Sequence, residues 1–132
     1  MRNLGSLLLL ASTLTFAQAA QPAPQPPTEI SADLGSCSAE FHVTDLAGHG
    51  LYNAKIHTLI RYGFWSKRKL ELEAGTNAAG HARFVKLPDQ IKKPMVFDIH
   101  YQDQKVTQSY DPGVDCHASY DVPLKVDGKN AK

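Results

Sequence analysis

Hydrophobic and polar residues alternate with a period of two along most of the chain after Ser36. Cys37, Ala39, Phe41 and Val43 share one side of the first such run, and Ser38, Glu40, His42 and Thr44 share the other. That spacing predicts a half-buried strand, because successive side chains of an extended backbone point to opposite faces. The pattern returns over residues 54–62, 70–74, 82–87, 95–101, 105–110 and 118–126. The runs are separated by turn chemistry. Two Gly-bearing turns lie at 45–50 and 75–80, and the first is expected to use its two glycines for positive φ. Gln102-Asp103-Gln104 closes a tight hairpin, and Pro88 and Pro94 enclose a loop that has no place inside a sheet. Pro123 lacks an N–H, so the last strand belongs at an edge or with that position facing outward. Seven short strands without a helical period predict an all-β fold, a seven-stranded antiparallel β-sandwich, over residues 36–126.

The pattern fails at both ends. Residues 1–19 carry Arg2, an apolar run from Leu7 to Leu14 and the small-residue site Ala17-Gln18-Ala19, which together read as a secretory signal peptide. The apolar run is too short to span a bilayer. Export to the periplasm or the exterior follows as the expectation, with no membrane insertion after cleavage. Residues 20–35 read as a Pro-rich linker containing Pro22, Pro24, Pro26 and Pro27, and residues 127–132 as a disordered tail.

Composition changes this picture little. Hydrophobic residues make up 42% and charged residues 20% of the 132, with a formal net charge of +1. No run of Lys and Arg is long enough to suggest nucleic acid or an anionic membrane as a partner. The two cysteines, Cys37 and Cys116, matter more. In an oxidising compartment their default state is a disulfide, which would tie the first strand to the start of the last. The alternative, a shared metal, lacks a Cys-x-x-Cys or a nearby paired His.

Candidate chemistry is sparse. No Ser lies in a Gly-x-Ser-x-Gly context, and Glu71 and Glu73 sit beside Lys67, Arg68 and Lys69, as in a solvated charge-paired hairpin. No cofactor is expected. His42, His57 and His100 all fall opposite the apolar stripes, and a zinc or copper carrier built on them is one reading; scattered surface His is the other. The best contact candidates are aromatic. Phe64 and Trp65 occupy a basic hairpin between Arg61 and Arg68, with Tyr52 as a further exposed aromatic, and such a patch suits an unidentified protein, peptide or carbohydrate partner. The competing reading folds Phe64 and Trp65 back over the sandwich end. Open sheet edges leave both a monomer and an edge-strand dimer available.

Two blocks resemble a known family. Val43-Thr44-Asp45-Leu46-Ala47-Gly48, followed by Asn53-Ala54-Lys55-Ile56, is similar to the first strand, turn and second strand of transthyretin-like and carboxypeptidase-regulatory-like domains. Thr76-Asn77-Ala78-Ala79-Gly80, followed by Phe84 and Leu87-Pro88, resembles their second block, and Ser119-Tyr120-Asp121-Val122-Pro123-Leu124 resembles the closing strand of the transthyretin-like group. The resemblance implies a seven- or eight-stranded sandwich of the immunoglobulin-like or prealbumin-like kind and a non-catalytic binding or accessory role. One branch of the group is an enzyme, hydroxyisourate hydrolase. Of its site positions, the first-strand His is matched by His42; His81 stands in place of an Arg, Asp121 in place of a second His, and the closing Tyr-Arg-Gly-Ser is replaced by residues 127–132. One match in four disfavours that acid–base chemistry.

Overall fold

The computed structural model describes residues 26–126, so the expected signal peptide, the start of the linker and the tail at 127–132 lie outside the described residues. Eight strands follow one another: β1 (Thr28–Ser31), β2 (Cys37–Asp45), β3 (Lys55–Tyr62), β4 (Arg68–Gly75), β5 (His81–Leu87), β6 (Met95–Tyr101), β7 (Gln104–Tyr110) and β8 (His117–Leu124). They form two four-stranded sheets, ordered β1-β5-β2-β8 and β4-β3-β6-β7. A short 3-10 turn at Phe64–Ser66 joins β3 to β4.

Each sheet turns one apolar face inward. Phe41 and Phe84 from the first sheet meet Phe97 from the second at centroid distances of 4.9 and 5.0 Å. Ile56, Ile60, Ile99, Val43 and Leu124 complete a single core. Burying such side chains stabilises by roughly 1.5–3 kcal/mol each. Tyr110 is wholly buried, and its hydroxyl donates to the Cys116 carbonyl at 2.8 Å. Burial above all, with the charges of Tyr120, Asp115 and Asp111 adding to it, pushes the Tyr110 pKa up to about 12. A phenol whose folded pKa is raised holds its proton more tightly folded than unfolded. Its contribution is therefore complete below pH about 10 and is lost as pH climbs towards 12. An alkaline unfolding transition in that window, worth roughly 2 kcal/mol, is the expected result. Thermal melts of Tyr110→Phe should show a shallower pH slope there, with a residue left by Tyr120, whose pKa burial also raises.

The disulfide joins Cys37 to Cys116, with Cα atoms 4.6 Å apart and a sequence separation of 79. Two expectations need correction. The strands number eight, not seven: Thr28–Ser31, assigned to the linker by its sequence, pairs with β5. Nor is the arrangement wholly antiparallel, because β1 runs parallel to β5 and β8 runs parallel to β2. Alternation records which face a side chain takes, not which way its strand runs. The disulfide brings the beginnings of β2 and β8 to the same end, and parallel pairing follows. Pro123 lies in edge strand β8, where the missing N–H has no ladder partner to disappoint.

The two Gly-bearing turns lock into each other. Asp45 Oδ1 accepts the backbone N–H groups of Ala47 and His49, each at 2.9 Å, and Oδ2 lies 3.2 Å from the His49 ring. Thr76 Oγ1 accepts the Ala54 N–H at 2.8 Å and donates to the Leu51 carbonyl at 2.5 Å, bridging one turn to the other. Asn77 Oδ1 accepts from Ala79 and His81 N–H, while its Nδ2 donates to the Pro26 carbonyl. Gly48 has the anticipated positive φ, 91°, and Gly80 of the second turn also lies in that region, at 84°. Gly50 does not; it is needed because a Cβ there would collide with the Ala79 carbonyl.

The His49 backbone N–H, reinforced by the His49 ring and the Ala47 N–H against a smaller desolvation effect, holds the Asp45 carboxyl below its ordinary range. Stability from this group is present above pH about 4 and falls away in acid. Asp45→Ala is expected to lower the melting temperature by a few degrees at neutral pH. Asp45→Asn, which keeps the Oδ1 acceptor, should retain most of it, as paired calorimetric scans would read.

Candidate functional site

Two outer faces carry the candidate chemistry. On the first sheet, register sets His42 of β2 opposite His81 of β5 and Asp121 of β8. The His42 and His81 rings stack at a centroid distance of 4.1 Å, 7° from parallel. His42 Nδ1 lies 3.5 Å from Asp121 Oδ1, and His81 Nδ1 lies 3.8 Å from Glu40 Oε1, too far for a hydrogen bond. The three positions that the hydrolase resemblance singles out are thus neighbours in one row, as two imidazoles and a carboxylate. Arg83, two residues along the same face, is held by Glu29 at 3.8 Å. One pair escaped the sequence reading: Ser38 Oγ and His117 Nδ1 are 2.8 Å apart. Only the cross-strand register Ser38↔His117 reveals it.

His57 and His100 do not join His42. They belong to β3 and β6 of the second sheet, so the proposed metal-carrying trio is divided between two sheets. His57 Nε2 lies 2.6 Å from Glu71 Oε1. Among the described residues, no group of three or more His, Cys, Asp or Glu side chains converges to hold a metal ion.

The second face begins at the β3–β4 connection. Phe64 is 84% and Trp65 67% exposed, so the pair stands out from the sandwich end and does not fold over it. The two rings meet edge to face at 5.4 Å, and Lys92 Nζ lies 5.4 Å from the Trp65 ring centroid. Trp65 and Ser66 both have left-handed backbones, with φ 61° and 54°. For a bulky aromatic that conformation costs roughly 1–2 kcal/mol. Arg61 lies at the base of this loop and borders two hollows, of about 440 and about 430 Å³. The second hollow is lined by the apolar Leu59, Pro94 and Val96 and by the cations Arg61, Lys92 and Lys93, with one carboxylate, Asp98. Arg68 pairs with Tyr62 across the hairpin. Tyr52 does not belong here: it precedes β3, whereas Phe64 and Trp65 follow it, roughly 25 Å away along the strand.

No protein-family model matches the chain, and no curated protein matches it. Among the described residues, no helix is long and apolar enough to cross a membrane.

Proposed function

We propose that this protein is an exported, non-catalytic binding or accessory module, a prealbumin-like sandwich of the transthyretin-like and carboxypeptidase-regulatory-like type, acting in the periplasm or outside the cell. The single observation that carries the binding role is the strained display of Trp65. A chain that holds a large exposed aromatic in a left-handed backbone, beside a second exposed aromatic, accepts a cost with no return in packing. Contact with a partner is the return. The disulfide supports an oxidising compartment. The interlocked Asp45, Thr76, Asn77 and Gly80 contacts give the two blocks of the family resemblance a structural reason.

A photoreactive residue in place of Phe64, in the producing cells, tests the binding role. Discrete crosslinked products from position 64 and none from position 52 are expected; products spread equally over both positions would sink it. The strain makes a separate prediction. Trp65→Gly is expected to leave the melting temperature unchanged or to raise stability by up to about 1 kcal/mol, while abolishing those crosslinks.

The row of His42, His81 and Asp121 favours one alternative, a hydrolase of the hydroxyisourate kind with altered side chains. Turnover of hydroxyisourate above the buffer rate by purified protein, lost in His42→Ala, would favour that reading over the binding module.

A further inference from the structure

The hollows beside Trp65 have a sign. The described parts of the loop and strand ends around them carry Arg61, Lys67, Arg68, Lys69, Lys92 and Lys93, and none has an ion-pair partner among the described residues. By contrast, Arg83 and Lys86 of β5 are each matched by a carboxylate. One carboxylate borders each hollow, Asp89 the first and Asp98 the second, against two and three cations respectively, so both stay net positive; Glu71 is engaged by His57. The floor between is apolar. Leu59 is 42% and Val96 49% exposed, one step beyond the last register pair, Thr58↔Phe97, so two large aliphatic side chains lie side by side in water. The two hollows share Arg61, Ser66 and Lys92, and so run into one another around the hairpin.

We infer that this groove takes an extended acidic peptide segment of a protein partner, with an apolar side chain seated on Leu59, Pro94 and Val96 and flanking carboxylates meeting Arg61, Lys92 and Lys93. The inference rests on the binding-module reading and supplies its partner's chemistry. An extended peptide presents alternate side chains to a groove, so one apolar residue and its acidic neighbours match a floor and its rim. The unmatched cations steer and orient an anionic partner, and that part of the attraction is screened by salt. A sugar chain would lay hydroxyls over the Leu59 and Val96 floor without partners for them. The hollow's volume suits one or two side chains.

Trp65 is the sole tryptophan and stands against Lys92, so its fluorescence reports on this groove. The intact protein would be titrated with a synthetic peptide in which one Leu is flanked on both sides by Glu and Asp. The same peptide with Lys for every acid, the acidic peptide with Ser for Leu, heparin, and vesicles containing phosphatidylglycerol complete the series. A saturable response to the acidic Leu peptide is expected, at least about tenfold tighter than to either peptide control and weakened by added salt. The variant Lys92→Glu/Lys93→Glu should lose about tenfold in affinity, and Leu59→Asp should lose the response. Lys92 and Lys93 are exposed, so that variant's stability should change by no more than about 0.5 kcal/mol, whereas Leu59→Asp sets a carboxylate opposite Glu71, and a melt verifies that it is folded at the assay temperature. No saturable response, an equal response to the Lys peptide, or tighter binding of heparin or vesicles would each overturn the inference. Crosslinks from position 64 that persist when the acidic peptide fails would overturn the occupant alone; absence of both would remove the binding module as well.

Discussion

Replacing Gly80 with alanine is expected to destabilise the fold by roughly 2–5 kcal/mol, at its upper end the whole stability of a marginal small domain. Two costs add. The backbone at Gly80 has φ 84°, where a Cβ is strained by about 1–2 kcal/mol. The added carbon would also strike the Val43 carbonyl oxygen and come to 3.0 Å from both the Gly50 Cα and the Leu51 nitrogen. All of these are main-chain atoms of the neighbouring turn, so no side chain can swing aside. Relief requires separating the turns, which breaks the Val43 N–H to Gly80 carbonyl bond of 2.8 Å. Overpacking of that kind adds roughly 1–3 kcal/mol. Gly48→Ala is the control: its φ is 91°, but nothing lies within 4 Å of a Cβ there, so only the smaller conformational cost applies. Urea unfolding of both variants measures the difference, and equal losses would refute the interlock.

Removing the disulfide is the other large effect. Closing a loop across 79 residues contributes about 4 kcal/mol in the chain-entropy description. Cys37 is wholly buried, so Cys37→Ala/Cys116→Ala also trades two packed sulfurs for smaller groups. The double variant is expected to unfold at much lower denaturant than the parent, and reductant should shift the parent's midpoint down while leaving the variant's unmoved. A parent midpoint insensitive to complete reduction would show that the sheets close without the link.

The strands that alternate clearly were legible from sequence because burial on one face leaves its record at every second position. β2, β3, β5, β6 and β7 fall within a residue or so of their expected spans. β1 left no such record. It has four residues, of which only Ile30 is even half-buried, and its place comes from pairing with β5 and from the Asn77 amide at the Pro26 carbonyl, two contacts made across the fold. The direction of β8 was not legible from alternation, which records faces and not directions, although the expected disulfide already implied that β2 and β8 start at the same end. The candidate site was half legible. Arg61, Phe64, Trp65 and Arg68 stand on one short segment, and a sequence shows a segment. Lys92, Lys93, Leu59 and Val96 come from other elements, and no local pattern marks two exposed aliphatics as neighbours. Tyr52 was grouped with them as another exposed aromatic, although an entire strand separates it from them.

The position of β8 has a consequence for how the molecule is made. β2 is an interior strand, flanked by β5 and β8, and β8 is the last of the described strands to be synthesised. Until it arrives, one flank of β2 offers unpaired amides and carbonyls above an apolar layer, with Cys37 still a thiol. Such long-range closure is slow, and the waiting edge invites pairing with another nascent chain. Premature termination between Tyr110 and His117 would make that temporary exposure permanent, so such shortened products should aggregate even though seven of the eight strands are intact.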